Sequence, residues 1–242
     1  MSNLTYLPQV GSTNVWCKQN AEALSDGDAV YSTSQTQGRG RLGRSWQNAP
    51  GSGLYYSVLL KGPMADRQSL PLAASLGVSR ALQQTFGAET QIKWPNDLLL
   101  KGKKLVGILC EGTAQGIVCG IGVNLSQPDE FWQQVGLPYA TSLKGGLGID
   151  PGPQGAERLA RAISAQLAPG GWLEEFRRQG FAAIRSEYKA ACVNLGRTVT
   201  FEGGSGLALD VDEAGCLVVE TAQGAKQVFT GEVSVGGIYG SL

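Results

Sequence analysis

Strand–turn–strand patterning between Gln91 and Val123 limits the fold more than any other part of the chain. Gln91–Trp94 reads as a strand broken by Pro95-Asn96-Asp97, and Leu98–Leu100 resumes it. Lys101-Gly102-Lys103 has turn chemistry and Lys104–Glu111 is the next strand. After Gly112–Gln115 the run Gly116–Val123 is its antiparallel partner. Upstream, Leu4–Val10, Ala29–Ser34 and Leu54–Leu60 also read as strands, the last favoured by Tyr55, Tyr56 and Val58. Helices flank this region, so the expected class is α+β, with helices on one face of a mixed or antiparallel sheet.

The helices announce themselves by caps and periodicity. Ser12-Thr13-Asn14 offers N-cap hydroxyls ahead of a helix reaching about Leu24. Ser69 caps the next, with Pro71 in its first turn and Gly87 at its end. Leu70, Ala73, Ala74, Gly77, Val78, Ala81 and Leu82 fall on one face of it. Pro128–Pro138 reads as a loop or short helix. Ala156, Leu159, Ala160, Ile163 and Leu167 mark an amphipathic helix, and Trp172, Phe176, Ile184 and Tyr188 mark helical structure with a break at Gly180. The composition changes after Ala191. Arg197–Phe201, Leu207–Val211, Cys216–Glu220 and Gln227–Phe229 are four short β-runs between Gly-rich turns, the pattern of a small barrel. The expected organisation is therefore a main domain over 1–191 and a small β domain over 192–242.

Composition excludes several chemistries. The chain has no histidine, which removes histidine triads, histidine general bases and most zinc hydrolase sites. Its five cysteines include no C-x-x-C pair, so reduced thiols in a cytosol are expected rather than a disulfide framework. No secretion signal and no membrane span is visible, and a cytoplasmic location is expected. Lys plus Arg (20) balance Asp plus Glu (20), which argues against bulk nucleic-acid binding.

The positive charge is instead local. From Ala29 to Ala65 there is no Asp or Glu, while Arg39, Arg41, Arg44 and Lys61 are present. Within that stretch, Gln35–Trp46 carries Gly38, Gly40 and Gly43 among the three arginines. Glycine lets the backbone approach a ligand closely, successive N–H groups can converge on an anion, and guanidinium forks suit carboxylate or phosphate oxygens. A solvated, mobile basic loop is the plainer alternative. Gly38, Gly40 and Gly43 also match G-x-G-x-x-G. That match is a decoy, because turn residues follow it rather than a helix and no acid lies near the required offset. No G-x-x-x-x-G-K-[ST] loop occurs.

A second constellation lies at Lys93-Trp94-Pro95-Asn96-Asp97 and Lys103-Lys104-Leu105-Val106-Gly107. A lysine at a strand start can point into a site as a fixed ammonium, and Asp97 could help hold magnesium, which takes one or two carboxylates plus phosphate oxygens. Gly120-Ile121-Gly122-Val123-Asn124 supplies glycines for close approach and an amide able to read a base edge. Together these suggest nucleotide phosphate chemistry without a P-loop. A carboxylate substrate is already ionised near neutral pH and needs no base to attack phosphorus, so positioning and charge would carry the catalysis.

Gly38–Trp46, Lys93–Asp97, Lys104–Leu109 and Gly120–Asn124, in this order, resemble the motifs of the biotin protein ligases, and the resemblance covers essentially the whole chain. It implies a class II synthetase-like catalytic domain with a C-terminal SH3-like barrel. It further implies a two-step reaction. Biotin's carboxylate attacks the α-phosphate of ATP, with magnesium, to give biotinyl-5′-AMP and pyrophosphate. A lysine of a biotin carboxyl carrier protein then takes the biotinyl group. By motif match, Ser12, Thr13, Asn14 and Gln35 would contact biotin's rings, and Gly38, Arg39, Gly40 and Arg41 would wrap biotin and phosphate. Lys104 would bridge the biotin carboxylate and the α-phosphate, with Arg41 the second catalytic group. Lys93, Asn96 and Arg44 would help hold ATP, Asp97 would stand near the metal, Trp46 and Asn124 would flank adenine, and Gly107 and Gly122 would form walls. Some relatives in this family carry an N-terminal DNA-binding helix-turn-helix. This chain begins at the first catalytic strand, so no operator binding is expected. A lipoate–protein ligase and a non-catalytic nucleotide- or nucleic-acid-binding module are the competing readings.

Overall fold

The strand Gly53–Leu60 is buried at every position. Alternation would expose every second residue, so both faces of this strand must be covered. In the computed structural model, which describes residues 2–47, 49–229 and 231–238, this strand lies inside a seven-stranded sheet. The strands are β1 (Leu4–Tyr6), β2 (Ala29–Ser32), β3 (Gly53–Leu60), β4 (Gln91–Lys93), β5 (Asp97–Leu100), β6 (Lys103–Gly112) and β7 (Ile117–Asn124), in the order β1-β2-β3-β7-β6-β5-β4. Only β1 and β2 run parallel; the other pairs are antiparallel. The hairpin between β5 and β6 turns on Lys101 at φ 50° and Gly102 at φ 76°. Both are in the left-handed region, as a two-residue hairpin loop matching the twist of the strands requires.

One face of the sheet carries the main core. The helices α2 (Leu70–Phe86) and α5 (Gly152–Leu167) bury Leu70, Ala73, Ala74, Val78, Leu82, Leu159 and Ile163 against Ala29, Tyr31, Val58, Ile108, Cys119 and Ile121. Tyr56, fully buried, sets its hydroxyl 2.9 Å from that of Ser164 on α5. The helix α6 (Leu173–Gln179) ends at Gly180 (φ 77°, ψ −164°), a conformation that an L side chain rarely adopts, and α7 (Arg185–Ala191) follows after a 3₁₀ turn. The expected break is thus at the expected residue.

Several expected boundaries shift. The first strand ends at Tyr6, because Pro8 has no N–H to continue the ladder; Val10 pairs only as a single bridge to Gln35. The helix α1 (Thr13–Gln19) stops short of Leu24, where the Asn20 side chain donates to the Trp16 carbonyl at 2.8 Å. Ser69 precedes α2 but its hydroxyl donates to the Ala214 carbonyl instead of capping the helix. Pro128–Pro138 contains α3 (Asp129–Gln134). The short α4 (Leu143–Leu147) was not expected, having two glycines in five residues; its signals lie only at its ends, in the capping Ser142 and the left-handed Gly148.

Helices on one face was also too simple. α1 and the turn that follows it cover part of the opposite face, packing Cys17 and Ala21 on Val30, Leu59 and Val118. The remainder of that face holds the cavity described below.

The C-terminal strands β8 (Thr198–Phe201), β9 (Gly204–Val211), β10 (Leu217–Thr221), β11 (Gly224–Val228) and β12 (Val233–Val235) form a second, antiparallel sheet in the order β11-β10-β9-β8-β12. Four were expected; the fifth, three residues long, is too short for an alternating signal. Asn48 and the last four residues of the expected small domain lie outside the described residues. This second sheet docks on β4. Val193 N donates to the Ile92 carbonyl at 2.9 Å, Trp94 N to Asn194 Oδ1 at 2.7 Å, and Trp94 Nε1 to the Gly215 carbonyl at 3.0 Å.

Leu82 is fully buried between the sheet and its helical cover. We expect Leu82→Ala to lower stability by about 2–5 kcal/mol in urea unfolding, the usual result of a buried leucine truncation; a loss under half a kcal/mol would mean this face is not the core.

Candidate active site

The alternation of β3, β6 and β7 sends Tyr55, Gly107, Leu109, Gly120, Gly122 and Asn124 to the face that α1 leaves open. A cavity of about 490 Å³ lies there. Two glycines in register, Gly107 opposite Gly122, form its floor. The Trp46 indole rests on them: a Cβ added at Gly107 would stand 2.5 Å from Trp46 Cζ3, and one at Gly122 2.7 Å from Trp46 Cε2. Its indole N–H is buried and has no hydrogen-bond partner among the described residues.

The loop 35–46 is a folded strap rather than a free segment. Arg39 and Ser45 pair as an antiparallel bridge, Gly40 N donates to the Arg44 carbonyl at 2.7 Å, and Trp46 N to the Gly38 carbonyl at 3.0 Å. At its tip Leu42 adopts φ 54°, the left-handed region, and is largely exposed. Gly38 does not line the cavity. A Cβ there would be 2.7 Å from the Trp46 carbonyl oxygen, so this glycine lets the strap close on itself. All the other residues expected at the site do line it.

One end of the cavity is neutral and polar. Ser12 is the N-cap of α1, its hydroxyl accepting from Val15 N at 3.5 Å. Thr13 donates from both its N–H (2.9 Å) and its hydroxyl (3.3 Å) to Gln35 Oε1. Asn14 is held on three sides. Its Nδ2 donates to the Leu109 carbonyl (3.1 Å) and to Glu111 Oε2 (2.8 Å), and its Oδ1 accepts from Ser57 Oγ (2.6 Å).

The other end is cationic. Arg39, Arg41, Arg44, Lys93 and Lys104 line the cavity against two carboxylates, Asp97 and Glu232. Lys104 Nζ pairs with Asp97 Oδ1 at 2.7 Å and lies 5.5 Å from the centre of the Trp46 ring. Arg41 donates to Asn96 Oδ1 at 2.9 Å and to the Gly231 carbonyl at 3.2 Å. Asn96 is oriented in turn by its Nδ2 bond to the Ile108 carbonyl at 2.8 Å. Lys93 donates to the Val233 carbonyl at 2.7 Å. Burial lowers the pKa of both Arg41 and Lys93 from their usual values, and the Asp97 charge acts the other way. A positive charge held under these conditions gains from an incoming anion.

Asn124 is buried, and its Nδ2 donates to the Thr141 carbonyl at 2.9 Å and the Lys104 carbonyl at 3.4 Å. The expected reading of a base edge by donating and accepting together therefore lacks its donor half. Asp97, expected beside a metal, is ion-paired with Lys104.

Sequence reasoning missed the wall from the C-terminal sheet, Gly231–Ser234, where Glu232 grips Arg44 through both carboxylate oxygens at 2.5 and 2.7 Å. No local signal connects residues 188 positions apart. Glu111 and Ser57 were also missed. Their signal was available: counting by twos from Gly107 through Leu109 places Glu111 on the cavity face.

Residues 6–126 match the family model of the biotin/lipoate A/B protein ligase family. A biotin–[acetyl-CoA-carboxylase] ligase of Paracoccus denitrificans is 32% identical over 247 residues, covering 96% of this chain and 100% of its own length. The bifunctional ligase/repressor BirA of Bacillus subtilis is 32% identical over 226 residues, covering 87% of this chain and 67% of its own. The solved biotin protein ligase from Aquifex aeolicus in complex with biotin and ATP aligns with a TM-score of 0.81 at 31% identity, over 97% of this chain and 99% of that one. The chain belongs to the biotin/lipoate A/B protein ligase family. Within it, the relatives of near-full coverage are biotin ligases, and the chain is a biotin protein ligase.

Burial pushes the Glu111 carboxyl up, but the hydrogen bonds from Lys18 and Asn14 and the charges of Lys18 and Arg39 outweigh burial and hold it below the usual glutamate range. Its contribution to stability is therefore complete above an ordinary glutamate pKa of about 4.3 and is lost as the pH falls through the lowered value. Denaturant unfolding at stepped pH is expected to show a shallower acid loss below about pH 4 in Glu111→Gln than in the wild type; superimposable slopes would remove this carboxylate from the acid response.

Proposed function

We propose that this protein activates biotin as biotinyl-5′-AMP and transfers the biotinyl group to a lysine of a biotin carboxyl carrier protein. The observation that carries the reading is the division of one cavity into a neutral polar end and a cationic end. Biotin's ring system is neutral, with a urea carbonyl and two N–H groups, and suits Ser12, Thr13, Asn14 and Gln35. Its carboxylate tail and the phosphates of ATP suit Arg39, Gly40, Arg41, Arg44, Lys93 and Lys104. Family membership and likeness to a ligase solved with biotin and ATP support the same assignment.

In this reading Gly107 and Gly122 let the ligand and Trp46 approach the backbone, and Trp46 and Asn124 border the adenine. The carboxylate oxygen of biotin forms a bond to the α-phosphorus while the bond to the pyrophosphate oxygen breaks. Both reactants are anions, so their approach costs electrostatic work that Arg41 and Lys104 would offset, the role of fixed donors placed where charge develops. The amine of the carrier lysine then attacks the acyl carbon and AMP leaves, the lost proton passing to solvent. A mixed anhydride is open to hydrolysis, and the strap 35–46 over the cavity would exclude water.

Magnesium would arrive with the triphosphate and neutralise part of its charge. Among the described residues no three His, Cys, Asp or Glu side chains cluster, and Asp97 and Glu232 are the carboxylates of the cavity. That set fits an ion that keeps most of its coordination from phosphate and water, with Asp97 the carboxylate nearest the phosphate-binding lysines. A cytoplasmic setting agrees with five free cysteines, and no helix among the described residues is long and apolar enough to cross a membrane. We assign the catalytic unit to residues 1–191 and the SH3-like barrel to 192–242.

The test is a mass shift of one biotinyl group on a carrier domain that requires ATP, magnesium and this protein together; modification with lipoate in place of biotin would overturn the assignment. Arg41→Ala and Lys104→Ala are each expected to slow adenylate formation by about 10²–10³, measured as biotin-dependent pyrophosphate release. Wild-type rates would remove the residue from the mechanism. Hydrogen exchange of the amides in 35–46 should slow when biotinyl-AMP is bound, as for a strap that closes on its ligand. Equal exchange in both states would count against it.

A further inference from the structure

We infer that Glu111 is a positioning residue for the biotin end of the cavity: with Ser57 it fixes the Asn14 carboxamide and so sets where Ser12 and Thr13 stand. The inference rests on the proposed seating of biotin at that end, and it adds a residue that the motif resemblance did not supply.

The helix α1 is only seven residues long, yet its first turn carries polar groups of the site. So short a helix has little intrinsic stability, and something outside it must hold it in place. Glu111 does so at two points one turn apart. One carboxylate oxygen accepts from Asn14 Nδ2 at 2.8 Å, and the other accepts from Lys18 Nζ at 2.9 Å. Two anchors at i and i+4 prevent the helix from rolling about either one. From below, Gly120 admits Asn14 so closely that a Cβ there would lie 1.9 Å from Asn14 Oδ1. Ser57, fully buried on β3, completes the cage with its hydroxyl 2.6 Å from Asn14 Oδ1 and 2.8 Å from Thr13 Oγ1. The chain of polar contacts therefore runs without a gap from Lys18 and Glu111 through Asn14 and Ser57 to Thr13 and Gln35. Recognition of a small urea ring depends on donors and acceptors held within a fraction of an ångström. Loss of Glu111 would leave a buried Asn14 N–H without its charged acceptor and free the helix to shift.

The experiment measures pyrophosphate release by the purified full chain as a function of biotin and of ATP. Glu111→Ala is expected to raise the KM for biotin by about tenfold, from the loss of one part-buried charge-assisted hydrogen bond. The KM for ATP should rise far less than the KM for biotin, because Arg39 alone of the five cations at the other end acts electrostatically on Glu111. Glu111→Gln should recover part of the biotin KM, since its amide oxygen accepts the same Asn14 N–H while its NH2 group cannot accept from Lys18. An unchanged biotin KM in Glu111→Ala, or equal rises in both KM values, would overturn the inference. Should Glu111→Ala fail to fold, a swap decides. Asn14→Asp faces two carboxylates against each other and should weaken biotin binding. Adding Glu111→Gln to it should recover part of the binding, because the new amide N–H supplies the donor lost between positions 14 and 111 while the Leu109 carbonyl still lacks its own. No restoration in the double variant would overturn the inference. Wild-type protein that releases no pyrophosphate with biotin would defeat the seating of biotin itself, a result distinct from all of these.

Discussion

Three missing side chains on one face of the sheet make the rest of the molecule's arrangement workable. Gly107, Gly120 and Gly122 stand where β6 and β7 would otherwise fill the space above them. Glycine inside a strand costs stability, roughly 0.5–1 kcal/mol for each relative to alanine. Both strands are flanked by neighbours on each side, and the opposite face carries the main core, so the sheet can bear that cost. What the vacancy permits is close approach: the Trp46 ring on Gly107 and Gly122, and the Asn14 amide on Gly120. The helix α1, the strap and the cavity all take their positions from that bare stretch of backbone.

A second constraint is electrostatic. Five cations gathered around one cavity repel each other, and burial makes the charges of Arg41 and Lys93 harder to keep. The chain answers with acceptors of its own: the Asp97 carboxylate for Lys104, Asn96 and the Gly231 carbonyl for Arg41, the Val233 carbonyl for Lys93, and Glu232 for Arg44. These partners are of unequal strength. In the Arg44–Glu232 pair the arginine is two-thirds exposed and the glutamate half exposed, and such pairs contribute about 0–1 kcal/mol. The Lys104–Asp97 pair is more enclosed and sits beside the aromatic ring. In the proposed reaction, phosphate and carboxylate oxygens would take over from the weaker of these acceptors. The second sheet thus walls the cavity, because β12 supplies Val233 and Ser234 and the segment leading into it supplies Gly231 and Glu232.

How much of this was legible depended on the range of the interaction. The strands from Gln91 to Asn124 were visible because period-two patterning and a Lys-Gly turn are local. The Gly87 stop and the Gly180 break were visible because a backbone that needs positive φ selects glycine. The failures have equally physical causes. Pro8 cut the first strand, Ser69 turned its hydroxyl to a distant carbonyl, and α4 formed from Leu143-Lys144-Gly145-Gly146-Leu147, which has no helical preference of its own. The site residues came as motifs, and all but Gly38 line the cavity; Gly38 instead closes the strap on itself.

The sequence by itself determined the α+β class, the places where the backbone must bend, and a concentration of Arg, Lys and Gly suited to an anionic ligand, since each follows from local sterics or composition. Only the tertiary structure decided that Glu111 holds Asn14, that Asp97 answers Lys104, and that a strand near the chain's end walls the cavity. Those outcomes depend on which groups meet across 7, 97 and up to 190 residues of chain. The two long contacts are chosen by the packing of whole sheets and helices, and no short window of sequence contains both partners; the Asp97–Lys104 pair is chosen by the register of β5 on β6, which shifts between Leu98 and Leu99.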